Sequence, residues 1–274
     1  MFSENNLLLL LMCIIPAVLY SMIIYFHAPH GAIKTKASIT YLYTGLLSTT
    51  ILSFVFLLFP NIRQEMFNLY IGKMYINGIM SDVYIRTTET IFMMAFLQVA
   101  FIEELCKFAS LKLSDYGRGK RKKDIDSHYS IMFYCAIVSA SFAIMESLNY
   151  AQRTMAGEFG LFITPKEVLF VRSFTSVILH MVCGLFMGYF IALSKGKNFY
   201  MKTLYSLIGI IAATIAHGIY DFMLMLVKDQ KDMFFLGKNM YVYTPTIMLL
   251  LVYVFLAYLA SNDLKKKYIE SSIY

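Results

Sequence analysis

The 274-residue sequence predicts an all-α, polytopic integral-membrane bundle, and three observations carry that expectation. Its residues are 59% hydrophobic and only 15% charged, against about 25% charged in a typical soluble domain. Seven apolar runs each reach the roughly 20 residues that a helix needs to cross the hydrocarbon core. Together the runs hold 160 of the 274 residues, so little is left for a soluble domain and 1–274 reads as one membrane domain. The spans must be helical, because lipid offers backbone amides no partners and a helix satisfies them internally.

In chain order, the first run is Leu7–Phe26. No Lys or Arg precedes it and its apolar stretch exceeds that of a secretory signal, so it is read as a span. The second, Ala37–Phe59, stops at Pro60. Residues 61–89 form the longest connection, where Met66, Phe67, Leu69, Tyr70, Met74 and Tyr75 alternate with Arg63, Glu65 and Lys73. That mixture suits either a short interfacial helix or an ordered loop. The third and fourth runs are Thr90–Leu111 and Tyr129–Ala151. The fifth, Val168–Leu193, follows Pro165, a residue common at helix starts. The sixth and seventh are Thr203–Val227 and Tyr241–Ser261. Runs one, two and seven contain no charged residue, and are expected to face lipid and wall the rest.

The net charge of +7 raises the question of nucleic acid, but its placement answers it. The four regions that seven spans put on one side hold 14 Lys and Arg, six of them in Lys112–Lys123; the opposite regions hold 8. Short loops rich in Lys and Arg stay in the cytoplasm, so the amino end is expected outside and the carboxyl end inside a cell membrane. The basic loop lacks interleaved aromatics and a binding fold, so no nucleic-acid partner is expected. Cys13, Cys106, Cys135 and Cys183 all lie within spans, which indicates no disulfide framework.

Chemistry enters in spans three to six. They carry eight ionisable residues: Glu103, Glu104, Lys107, Glu146, Arg172, His180, His217 and Asp221. A charge inside hydrocarbon costs about 3 kcal/mol or more, so each marks a functional-site hypothesis. Glu103 and Glu104 point about 100° apart on a helix, and Lys107 lies one turn from Glu103, the spacing of a facing pair. Phe142, Glu146 and Asn149 share a helix face by their spacing. His180, Gly184 and Gly188 form one stripe, and small residues there let another helix approach. Arg172 lies two turns outward and is expected to pair with a carboxylate. His217 and Asp221 are one turn apart, and three roles are open to the Asp: orienting the imidazole, acting as an acid, or pairing with Arg172. Counting from the outer span ends at about 1.5 Å per residue gives two layers. Glu103, His180 and His217 fall near the bilayer middle, while Glu146, Asp221 and Arg172 fall nearer the outside.

The ordered pieces Glu103-Glu104-Leu-Cys-Lys107, Phe142-x-x-x-Glu146, His180 and His217-Gly-Ile-Tyr-Asp221 resemble the PrsW family of membrane-embedded proteases. That family lies within the CAAX-protease and Abi superfamily, to which the gamma-secretase subunit Aph-1 is distantly related. The resemblance covers about 90–227. It departs at Ser147, where the family often has Asn directly after the Glu; here Asn149 follows two residues on. The resemblance implies peptide-bond hydrolysis, with a single-pass membrane substrate such as an anti-sigma factor cleaved first in a regulated cascade. In that reading Glu103, Glu104, Glu146, His180 and His217 are catalytic, and Lys107, Asn149, Arg172 and Asp221 support them. Glu103 or Glu104 takes a proton from water. His180 and His217, with Glu146, are candidate ligands for Zn2+, since imidazole and carboxylate suit that ion. Stabilisation of the oxyanion without metal is the other route open to the same residues, and no His-Glu-x-x-His signature decides between them.

Two other readings use the same residues. Intramembrane Glu, His and Asp also serve proton-coupled transport, although the chain shows no inverted repeat or matched pair of broken spans. A catalytically silent scaffold that binds a partner's transmembrane helix is the third.

Overall fold

The computed structural model describes residues 4–58, 71–76, 79–84, 88–119, 127–156, 164–228 and 240–273. Seven helical units follow the seven apolar runs. They are α1 (Glu4–His27), α2 (Thr35–Leu58), α3 (88–118), α4 (His128–Met155), α5 (Pro165–Leu193), α6 (Phe199–Lys228) and α7 (Met240–Ile273). All but α3 are long and apolar enough to cross a membrane by length and composition. The exception is instructive, because α3 carries Glu103, Glu104 and Lys107 within its apolar run. It is a continuous helical path of three parts: Thr88–Met93, a π-helical stretch Met94–Phe101, and Ile102–Arg118. The π-helical geometry, which is rare and frequent at functional sites, ends just before the two glutamates.

Between α2 and α3, where the sequence suits either an interfacial helix or an ordered loop, part of the connection forms two strands. β1 (Ile71–Ile76) pairs antiparallel with β2 (Ile79–Tyr84), from Ile71 opposite Tyr84 to Ile76 opposite Ile79. The sequence carries the reason: Asn77-Gly78 separates two six-residue runs, the dipeptide most favourable to a two-residue hairpin connection. The rest of the 61–89 connection, apart from the first residues of α3, lies outside the described residues.

Helices α4 and α5 form the interior, each with most of its membrane-length window buried, whereas α1, α2 and α7 leave most of theirs uncovered. Large apolar side chains such as Leu19, Ile23, Phe54, Leu251 and Phe255 point outward, as a lipid-facing wall requires. α5 starts on a built cap. Pro165 occupies the first turn, the Thr164 hydroxyl accepts from the Glu167 amide, and Glu167 accepts from the Thr164 amide. The helix is interrupted at Thr175 (φ −124°, ψ −75°), which divides it into Pro165–Phe174 and Ser176–Leu193.

The expected small-residue stripe is the seam between α4 and α5. A Cβ on Gly188 would stand 2.7 Å from Met132 Cα, and one on Gly184 would stand 2.7 Å from the Cys135 carbonyl oxygen. Real Cβ atoms do not approach so closely, so glycine sets this helix separation. The seam continues directly into His180, one turn from Gly184.

Candidate active site

All eight ionisable residues of spans three to six meet in one connected network. Glu104 is its floor. Its Oε1 accepts from Lys107 Nζ at 2.6 Å and pairs with His217 Nδ1 at 2.8 Å. Lys107 Nζ also lies 2.9 Å from His180 Nδ1. An ammonium has only donors, so Nδ1 accepts and the His180 proton sits on Nε2. That Nε2 donates to Glu146 Oε2 at 2.6 Å. The same oxygen accepts from Arg172 at 2.6 Å, and the guanidinium also donates to Ser147 (3.3 Å) and Ser176 (2.9 Å). His217 Nε2 faces Asp221 Oδ2 at 3.3 Å and Glu103 Oε2 at 3.8 Å. The two imidazoles stand edge to face with centroids 5.0 Å apart.

Aromatic rings hold the long side chains in place. Lys107 Nζ sits 4.6 Å from the centroid of Phe142, whose ring also meets His180 edge-on. The Arg172 guanidinium lies 4.0 Å from the centroid of Tyr150. Cation–π contacts of this kind strengthen when desolvated.

Exposure divides the network into a sealed floor and an open rim. The side chains of Glu104, Lys107, His180 and His217 are at most 3% exposed, while those of Glu103, Arg172, Asp221 and Glu146 are 10–17% exposed. The rim residues are those that counting placed nearer the outer ends, with Glu103 standing between rim and floor. The site is therefore most accessible from the Glu146–Asp221 side.

Several sequence expectations change in detail. Lys107 pairs with Glu104, three residues away, and not with Glu103. Both spacings face each other on a helix, but only Glu104 shares the dry side on which His180 also lies. The two expected layers are one network, since Glu146 joins Arg172 to His180. Of the three arrangements open to Asp221, the structure has it beside the His217 imidazole. Asn149 is exposed, while Ser147, 2% exposed, receives the Arg172 bond. Beyond Glu146 the buried side of α4 turns to Ser147 and Ala151, which faces Leu9 and Leu169 of α1 and α5. The site also takes in Ser147, Ser176 and Tyr150, which sequence reasoning misses; the signal for two of them is helical spacing, since Tyr150 is four from Glu146 and Ser176 four from Arg172.

The residues fit a metal. Nitrogen or oxygen donors of Glu103, His180 and His217 lie within 4.8 Å of one another, all on buried residues. Among the described residues, Glu103 Oε2 and Glu104 Oε2 are buried carboxylate oxygens without a hydrogen-bond partner. Two imidazoles and a carboxylate form a donor set suited to zinc. Glu146 is in neither of the site's two donor groups, and its Oε2 is shared by Arg172 and His180.

Comparison with known proteins gives the same direction. The chain is 28% identical over 158 residues to a protein named Protease PrsW from Oceanobacillus iheyensis, covering 56% of this chain and 66% of that protein. It is 26% identical over 164 residues to Protease PrsW from Bacillus subtilis, covering 58% and 69%. A third, from Shouchella clausii, is 29% identical over 158 residues, covering 56% and 66%. The chain thus spans about two thirds of the length of these relatives. No solved structure matches it significantly. A family model described as "PrsW family intramembrane metalloprotease" matches residues 37–259, wider than the 90–227 of the motifs and taking in both α2 and most of α7. With four-fifths of its length matched, the chain belongs to the PrsW family.

Proposed function

We propose that this chain is a membrane-embedded metalloprotease that cleaves single-pass membrane proteins, with anti-sigma factors the class that the family resemblance points to. The observation that carries this reading is the division of labour between adjacent glutamates. Glu104 is bonded to Lys107 and His217 and sealed, whereas Glu103 Oε2 is buried, unpartnered and turned to the His217 edge that faces the rim. A carboxylate without a committed partner, next to entering water, is the group able to accept a proton.

The residues that would hold a metal are His217 through Nε2, one oxygen of Glu103, and His180 through Nε2 once that nitrogen has given up its proton and its bond to Glu146; the ion would polarise the scissile carbonyl and acidify a water. The second Glu103 oxygen takes the proton of the attacking water and returns it to the leaving amine, the usual double duty of a general base. Glu104 and Lys107 fix the two imidazoles: the carboxylate holds His217 by Nδ1, and the ammonium holds His180 by Nδ1. Without the metal, Arg172 and His180 share one Glu146 oxygen, which places Glu146 to receive the His180 proton. Asp221 stands beside His217 Nε2 at the rim. The distribution of Lys and Arg supports an amino end outside and a carboxyl end in the cytoplasm. With that orientation the rim opens to the outer half of the bilayer, and cleavage falls there.

The test is cleavage of a single-pass substrate in reconstituted vesicles by wild type and by Glu103→Gln. Cleavage by wild type and its loss in a folded Glu103→Gln protein support the reading. Absence of cleavage by wild type, with ion flux or stable capture of a partner helix instead, overturns it.

A further inference from the structure

Below the catalytic group lies a second set of donors that the proposed reaction does not use. A carboxylate oxygen of Glu104, the thiol of Cys183 and a ring nitrogen of His217 lie within 4.8 Å of one another, all buried. Cys183 is a free thiol on α5, fully buried, one turn from His180 towards the Gly184 seam. A lone cysteine in a span is ordinarily a packing residue. Here a second observation stands beside it: Glu104 is 0% exposed, and its Oε2 has no hydrogen-bond partner. Its other oxygen is the one that Lys107 and His217 occupy.

The imidazole of His217 separates the two donor sets. Nδ1 faces Glu104, and Nε2 faces Glu103 and Asp221. Each ring nitrogen therefore serves one pocket. We infer that the inner pocket of Glu104, Cys183 and His217 is a binding site for a thiophilic divalent cation, Zn2+ or Cd2+, distinct from the catalytic group and exclusive of it. Thiolate, imidazole and carboxylate form a donor set that selects such ions over Mg2+ or Ca2+. Charge permits it: Glu104 and the thiolate contribute −2 and the Lys107 ammonium +1, leaving the pocket net negative before a dication enters. On binding, the thiol proton is released to solvent, as metal binding to cysteine requires. The proton on His217 Nδ1 moves to Nε2 when Nδ1 turns its lone pair to the ion. That tautomer removes the Nε2 lone pair from the outer group and withdraws Nδ1 from Glu104. Occupancy of the inner pocket therefore switches off the outer one.

Binding does not depend on the proposed protease activity; only the inhibitory consequence rests on it. The experiment is titration of metal-free full-length protein in detergent with Cd2+, following the ultraviolet cadmium–thiolate charge-transfer band. Three chains are compared: wild type, Cys183→Ser, and Cys13→Ser/Cys106→Ser/Cys135→Ser, which keeps Cys183 alone. The band is expected in wild type and in the triple variant, and its loss in Cys183→Ser; Cys183→Ala repeats the comparison should the serine disturb folding, which circular dichroism reports. An undiminished band in Cys183→Ser, or none in the folded wild type, overturns the site. In the cleavage assay, Cys183→Ser is expected to keep basal activity and to need about tenfold more Cd2+ for inhibition, because the site has lost its soft ligand. Equal sensitivity of both chains overturns the exclusive switch while leaving the spectroscopic result to judge the site.

Discussion

Replacing each member of the Glu103–Glu104 pair by Gln separates their roles in one experiment. Glutamine keeps the shape of the side chain and removes the charge. At Glu104 the change takes away the only carboxylate among the described residues bonded to Lys107 Nζ, an ammonium 1% exposed, and it also weakens the hold on His217 Nδ1. Removing one partner of a buried ion pair costs about 3–5 kcal/mol, since the surviving charge is left in a dry site. At Glu103 no hydrogen bond to Oε2 is lost, and a neutral amide is less costly to bury than a carboxylate. Glu103→Gln should therefore leave stability within about 1 kcal/mol of wild type, or above it, while the loss of a general base lowers turnover by about 10²–10⁴-fold. The assays are unfolding of the purified variants in detergent, followed by circular dichroism, and cleavage of a single-pass substrate in vesicles. The expected pattern is a destabilised Glu104→Gln and a stable, inactive Glu103→Gln. A Glu103→Gln protein that cleaves at the wild-type rate, or a Glu104→Gln protein as stable as wild type, refutes the division of roles.

Other perturbations test the surrounding parts. Arg172→Lys keeps a positive charge near Glu146 but cannot reproduce the guanidinium's simultaneous bonds to Glu146, Ser147 and Ser176; losing one or two charge-assisted bonds worth about 1.5–3 kcal/mol should lower kcat/KM about tenfold to a hundredfold, measured in the same cleavage assay. Gly188→Ala sets a methyl against the backbone of Met132 and should cost about 1–3 kcal/mol by overpacking, read as easier unfolding in detergent. A strong chelator should abolish cleavage and Zn2+ restore it, since the imidazole and carboxylate donors are those of a zinc site; full activity after metal analysis finds none bound would assign the imidazoles to oxyanion stabilisation instead.

How much of this was legible in the sequence depended on the range of the signal. Span positions follow from local hydrophobicity, so all seven runs reappear as helical units, with ends shifted by a few residues and α7 extended past the membrane-length run to Ile273. The identities of the site residues were equally legible, because a charged residue in an apolar run cannot be explained by its own helix. The partners were not. Lys107 could face Glu103 or Glu104 by spacing alone, and only the position of His180 on a separate helix decides between them. Asn149 shares the Glu146 face, yet whether that face is covered depends on where α1 and α5 pack. The hairpin was hidden for a different reason: its Asn77-Gly78 signal is short and lay within a stretch weighed only for helical or irregular structure.

The floor and the glycine seam form one device. Four polar side chains are kept nearly dry at the floor, and each would rather be hydrated. In lipid no hydrophobic force drives helices together to offset that cost, so close van der Waals packing must hold them. Backbones meet this closely between α2 and α4 at Gly45, and between α4 and α5, where Gly184 and Gly188 face Cys135 and Met132. These two helices also supply Glu146 and His180, joined by a 2.6 Å bond. The other links between helices join Lys107 to His180, Arg172 to Glu146 and Ser147, and Glu103 and Glu104 to His217. A methyl group at the seam is expected not only to loosen packing but to lengthen the His180–Glu146 bond, and His180 in turn is bonded to Lys107. The site should thus be sensitive to substitution at two glycines that touch none of its ionisable groups.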